Sequence, residues 1–222
     1  MSTPIGQMVE EMLAEGGDAN SQGTVAWLYS RCAHVTASRF CDVIATTQKG
    51  TPTAAHTQYM WDIVSERLTG IPTEHYVTAA MQQGTDREPL ARMRYEATTG
   101  CMVSEVGFLH HPTIEMLGGS PDGLVDDDGL IEIKSPLAKT HLQTMLSGEC
   151  QHIPQIQGLL WLTGRKWAAF ISFNPELANV GLDFYVQRIE RDDEYIAKLS
   201  AAVIQFLGEV DEMVTRIKAM RS

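Results

Sequence analysis

Three ionisable residues stand close together in the stretch GGSPDGLVDDDGLIEIKSP, residues 118–136: Asp122, then Glu132, then Lys134 after one apolar residue. If LIEIKS is a strand, its side chains alternate, so Ile131 and Ile133 turn to a core and Glu132 and Lys134 share the other face. Asp126-Asp127-Asp128-Gly129 is a turn signal that folds Asp122, at the start of the preceding strand, back beside Glu132. Two carboxylates held this close raise each other's pKa unless a cation lies between them. Magnesium prefers oxygen, keeps several waters and takes few protein carboxylates, so two acids and a main-chain carbonyl such as that of Ile133 suffice. A lysine beside them can orient or help deprotonate an attacking water and balance charge on a phosphorane-like transition state. An isolated Glu-x-Lys is more often an exposed pair on an edge strand, with Asp122 a turn residue. The full order of acid, turn and apolar-Glu-apolar-Lys favours a site.

The elements around this hairpin must hold it. TVAWLYSRCAHVTASRFCDVIATT predicts two helices with a break near Ala33 to Val35, Thr36 capping the second. AHTQYMWDIVSERLTG predicts a helix stopped by Gly70, and a third runs from about Thr85 to Thr99, ending at Gly100. MVSEVGFLH, IEMLGG, DGLVDD and GLIEIKS are short runs rich in Val, Ile and Leu, expected as adjacent antiparallel strands. Helices follow at LAKTHLQTML and HIPQIQGLLWLTG, then strands at KWAAFISFN and LDFYVQRIE. In the last segment Ile196, Leu199, Val203, Phe206, Val210, Met213 and Ile217 keep the spacing of one buried helical face, expected to cover the sheet. The pattern is an α/β (α+β) domain with a central mixed β-sheet flanked by helices.

With 222 residues and no linker or repeat, one domain over 1–222 is expected. The first residues carry acids where a signal peptide needs positive charge, and no apolar run is long enough to span a bilayer. Cys32, Cys41, Cys101 and Cys150 form no CxxC pair, which signals neither zinc nor an iron–sulfur cluster. His110 and His111, adjacent on a strand, point to opposite faces and read as a surface pair. A net charge of −11 argues against coating nucleic acid by simple attraction. Carboxylates that hold divalent metal are neutralised by it, so the charge leaves a nuclease open.

Pro121-Asp122 and Glu132-Ile133-Lys134 fill the PD-(D/E)xK nuclease signature. Trp27, Arg31 and Val35-Thr36-Ala37-Ser38 resemble a WxxxR…TAS segment, Gly84-Thr85-Asp86-Arg87-Glu88 a G…E helix, and Gln155-Ile156-Gln157 with Trp161 a QxQ helix. Together these resemble the phage lambda exonuclease and YqaJ-like viral recombinase family, over nearly the whole chain. Pro89 after Glu88 departs from the family pattern, and Thr85-x-x-Glu88 is also a capping box that could simply start the helix.

The resemblance implies a restriction-endonuclease-like core in which Asp122, Glu132 and the Ile133 carbonyl bind two Mg²⁺ ions, Mn²⁺ substituting. It implies that Lys134 faces the attacking water, that Glu88 supports a second metal and that Gln157 lines the site. Arg31, Ser38 and Ser120 match positions that hold the 5′-phosphate of the trimmed strand. The activity implied is 5′-to-3′ digestion of one strand of linear double-stranded DNA to 5′-mononucleotides, processively, by a homotrimer ring. The 3′ single-stranded tails would pass to a single-strand annealing protein, in the cytoplasm of a bacterial cell, from a phage or prophage gene. Alternatives are a restriction- or repair-like endonuclease of the same superfamily and a non-catalytic metal-stabilised scaffold domain.

Overall fold

The computed structural model describes residue 22, residues 24–73 and residues 79–220. The residues that alternate in the Asp122–Lys134 hairpin build the middle of a five-stranded sheet. Its strands are β2 (Val103–Ser104), β5 (Gly123–Val125), β6 (Gly129–Lys134), β7 (Trp167–Phe173) and β8 (Phe184–Glu190), in the order β2-β5-β6-β7-β8. β6 and β7 run parallel and the other neighbours antiparallel, so the sheet is mixed. A smaller sheet of β1 (Val35–Thr36), β4 (Leu117–Gly119) and β3 (Leu109–His110) has the order β1-β4-β3. The helices are α1 (Val25–Arg31), α2 (Phe40–Ile44), α3 (Ala54–Thr69), α4 (Ala79–Thr99), α5 (Ala138–Ser147), α6 (Ile153–Thr163) and α7 (Asp193–Ala219).

Alternation along β6 divides two cores. Ile131 and Ile133 pack with Ala169 and Ile171 of β7 and with Ala91 and Tyr95 of α4. On the other face Leu130, Ala168 and Phe170 join Ile156, Leu159 and Leu160 of α6. The β5–β6 turn is held by Arg165, whose Nη1 donates to the carbonyls of Val125, Asp126 and Gly129 at 3.0, 2.9 and 2.6 Å. Gly129 has no alternative residue: a Cβ there would lie 2.1 Å from the Trp167 ring.

Four expectations change. IEMLGG does not join the hairpin: β4 pairs in parallel with β1 and antiparallel with β3, in the second sheet. Thr36 precedes a 3₁₀ turn (Ala37–Arg39) and makes no capping bond, because its N–H goes to the Tyr59 hydroxyl at 2.9 Å and its hydroxyl to Ser38 Oγ at 3.2 Å. α4 is already helical at Ala79, so Pro89 lies inside it, not near its start. α7 does bury Ile196, Leu199, Val203, Phe206 and Val210, with Leu207 and Val214 added, but it lies across α2, α3 and α6 and not on the sheet. That face of the sheet is already occupied by α6.

Candidate active site

Asp122 follows β4 and immediately precedes β5, opposite the C-terminal half of β6. Its Oδ2 accepts the Ile133 N–H at 2.6 Å, and the carboxyl is nearly buried. Glu132 is 1% exposed, which rules out a solvent-facing pair, and β6 is flanked on both edges. Glu132 Oε1 accepts from Lys134 Nζ at 2.5 Å and from Gln155 Nε2 at 2.6 Å. Its other oxygen, Oε2, is buried with no hydrogen-bond partner. A buried carboxylate oxygen left bare costs desolvation energy without return, and in a native protein that asks for an explanation.

The electrostatics agree. Burial, and after it the field of Asp122 and Glu88 working against the pull of Lys134, pushes Glu132 up to about 8. Burial and then Asp122 push Glu88 up to about 7. Burial also raises Asp122, against the pull of Lys134 and the Ile133 N–H. For Lys134 burial favours the neutral form, yet Glu132, Asp122 and Glu88 together outweigh it and raise its pKa. Three acids sharing one ammonium are short of positive charge.

A divalent cation fits that shortage. The N–H and C=O of one strand residue point to the same side, so the Ile133 carbonyl faces the Asp122 side, as its N–H does. Asp122, Glu132 Oε2 and the Ile133 carbonyl thus form an all-oxygen set of the hard kind. Among the described residues no three His, Cys, Asp or Glu side chains converge as a ready ion site, so the main-chain carbonyl and water would have to complete the shell. Arg92 of α4 steadies Asp122 from behind, donating from Nη2 to its carbonyl at 3.2 Å while Nη1 meets Glu105 at 2.5 Å.

Glu88 belongs to the cluster electrostatically. Because α4 begins well before Thr85, its carboxylate is not that of a helix-starting capping box. Gln157 is different: its Nε2 donates to the Glu190 carbonyl at 2.8 Å and its Oε1 accepts the Asp192 N–H at 2.9 Å. It joins the end of β8 to the start of α7 and does not line the site. The side chain that does is Gln155, two positions earlier and so on another face of α6. His110 packs edge-on against Phe108 and His34, and His111 against Trp161.

Arg31 and Ser38 meet Ser120, which is distant in sequence, around Trp27. Arg31 Nη2 donates to Ser38 Oγ at 3.2 Å and its guanidinium lies over the Trp27 ring at 4.2 Å, while Trp27 Nε1 donates to Ser120 Oγ at 3.0 Å. Trp27 is the organiser of this group, and the sequence carried it only as part of a longer motif. Ser120 and Asp122 are two residues apart, so their Cα atoms lie within about 7 Å of each other.

Residues 26–166 match the family model of the YqaJ-like viral recombinase domain. The crystal structure of LHK-Exo, an alkaline exonuclease from Laribacter hongkongensis, is 41% identical and superposes with a TM-score of 0.80 over 88% of this chain and 96% of that one. LHK-Exo in complex with dAMP gives 0.82 at the same identity and coverage. A phage related exonuclease from Haemophilus somnus 129PT shares the fold, with a TM-score of 0.64 at 15% identity over 83% of this chain and 96% of that one. These likenesses establish the restriction-endonuclease-like core.

Proposed function

Because the chain belongs to the YqaJ-like viral recombinase family, we propose that it is a nuclease of DNA recombination, an exonuclease that digests one strand of linear duplex from its 5′ end. The observation that carries this reading is the bare, buried Oε2 of Glu132 beside Asp122, next to a group of one guanidinium and two hydroxyls. Arg31, Ser38 and Ser120 suit a terminal phosphate, since a guanidinium with hydroxyls makes charge-assisted hydrogen bonds to phosphoryl oxygens. With the end held there, the next phosphodiester comes to the acids. Mg²⁺, with Mn²⁺ as a substitute, would be held by Asp122, Glu132 and the Ile133 carbonyl with Glu88 in support, and would supply charge neutralisation at phosphorus.

In the metal-free protein Lys134 is held as an ammonium, because Glu132, Asp122 and Glu88 raise its pKa against the effect of burial. As an ammonium it would donate hydrogen bonds to the attacking water and the phosphoryl oxygens. Gln155 fixes Glu132 from the α6 side through Oε1, leaving Oε2 without a hydrogen-bond partner. Water displaces the 3′-oxygen in line at phosphorus: the P–O3′ bond breaks, the attacking water gives up a proton to solvent, the departing 3′-oxygen takes one from solvent, and a nucleoside 5′-monophosphate leaves.

A homotrimer ring threaded on the duplex would make digestion processive by topology, which suits a chain with a net charge of −11. The 3′ tail would then pass to a single-strand annealing protein, within the cytoplasm. Digestion of linear duplex labelled at the 5′ or the 3′ end, with Mg²⁺ or with EDTA and beside a covalently closed circle, tests the reading. Early release of 5′-labelled mononucleotide that needs the metal supports it; cleavage of the closed circle would make the protein an endonuclease.

A further inference from the structure

The anion group depends on a bend that none of its members makes. Arg31 ends α1, Ser38 lies beyond β1, and between them Ala33 takes a left-handed conformation with φ 66°. Without the freedom of glycine a residue adopts this conformation at a cost, and it persists where neighbours impose it. Here the neighbours are consecutive residues of α3. Glu66 Oε2 accepts the Ala33 N–H at 2.7 Å, and Arg67 Nε donates to the Ala33 carbonyl at 3.4 Å. Glu66 Oε1 accepts the Thr73 N–H at 2.8 Å, so both carboxylate oxygens are engaged, and the residue is buried. Arg67 is tied in turn to Asp211 of α7. Glu66 lies close enough for its field to act on Arg31.

We propose that Glu66 is a positioning residue for end recognition: by gripping the Ala33 peptide it sets Arg31 and Ser38 at the separation that a terminal phosphate requires. It touches no DNA. This inference rests on the reading of Arg31, Ser38 and Ser120 as the phosphate pocket. Replacing the carboxylate by an amide leaves one acceptor for two N–H groups and points an NH₂ at the other, so the bend loosens while the shape of the side chain is kept.

The test compares kcat/KM on linear duplexes with 5′-phosphate and with 5′-hydroxyl ends, for wild type, Glu66→Gln, Ala33→Gly and the double variant. Glu66→Gln lowers the preference for phosphorylated ends about tenfold, the lower end of what one charged hydrogen bond is worth. The double variant regains about threefold or more of it, because glycine holds a left-handed bend without a clamp. An unchanged preference in Glu66→Gln, an equal loss on both ends, or a double variant no better than Glu66→Gln overturns the assignment. Equal rates on the two ends in the wild type overturn the phosphate pocket itself. If Glu66→Gln alone does not fold, Glu66→Asp, which keeps the charge but shortens the reach to the Ala33 N–H, decides: a preference for phosphorylated ends that falls supports the role and an unchanged one refutes it.

Discussion

Replacing Glu88 by Gln removes one of three crowded carboxylates while keeping its size, and the structure fixes the sign of the effect. In the unfolded chain Glu88 titrates near 4.5, and in the folded, metal-free protein near 7. The folded state therefore binds more protons between these values, and stability is lost as pH rises through that window. The full rise corresponds to about 3 kcal/mol against the charged form. Glu88 is partly solvated, and screening leaves about 1–2 kcal/mol. For a domain of this size each kcal/mol moves Tm by about 2–4 °C. In EDTA at pH 8.5, Glu88→Gln should thus melt about 2–8 °C above wild type, and near pH 4 the two should coincide, since the carboxyl is then protonated folded or unfolded. Saturating Mg²⁺ should shrink the gap by neutralising the cluster in wild type. Thermal unfolding followed by circular dichroism across pH checks this. A variant that melts at or below wild type at pH 8.5, or one equally stabilised at pH 4, refutes the account of three acids repelling one another.

Lys134→Ala should lower the cleavage rate by about 10²-fold or more, the usual loss for one electrostatic stabiliser of a transition state, while circular dichroism remains native; near wild-type turnover would contradict its role. Gln155→Leu should reduce the rate about tenfold at little cost in Tm, because it frees Glu132 Oε1 from one of its two donors. Gln157→Leu should do the reverse, costing about 1–3 kcal/mol of stability through two unpaired main-chain groups, which denaturant titration measures. Sedimentation equilibrium should find a trimer, and a monomer that stays processive at high dilution would exclude the ring.

The Asp122–Lys134 hairpin was legible because its information is local. A period of two fixes which face Glu132 takes, and the Asp126–Gly129 turn fixes what stands opposite. The glutamines were not, since choosing Gln155 over Gln157 needs the rotation of α6 about its axis, which the packing of Ile156, Leu159 and Leu160 decides. Thr85-x-x-Glu88-Pro89 misled for a related reason: each local signal fits a helix start, yet α4 continues through all of them, held by Ala91 and Tyr95 against the sheet. The assignment of IEMLGG to a second sheet rests on pairing with Val35 and Thr36, some eighty positions away, and no short window contains both partners. Glu66 carried no signal at all. Its place in an amphipathic helix reads as an ordinary polar position until Ala33 and Thr73 are seen to converge on it.

Hydrogen-bonded neighbours on both edges of β6 place Glu132 and Lys134 on an interior strand that resists fraying. Amide protons around Glu132 should accordingly be among the last to exchange with deuterated solvent. The scaffold around Asp122 and Glu132 can then stay shut, and the periphery, from the edge strand β8 to the surface of α7, can accumulate substitutions without shifting these acids.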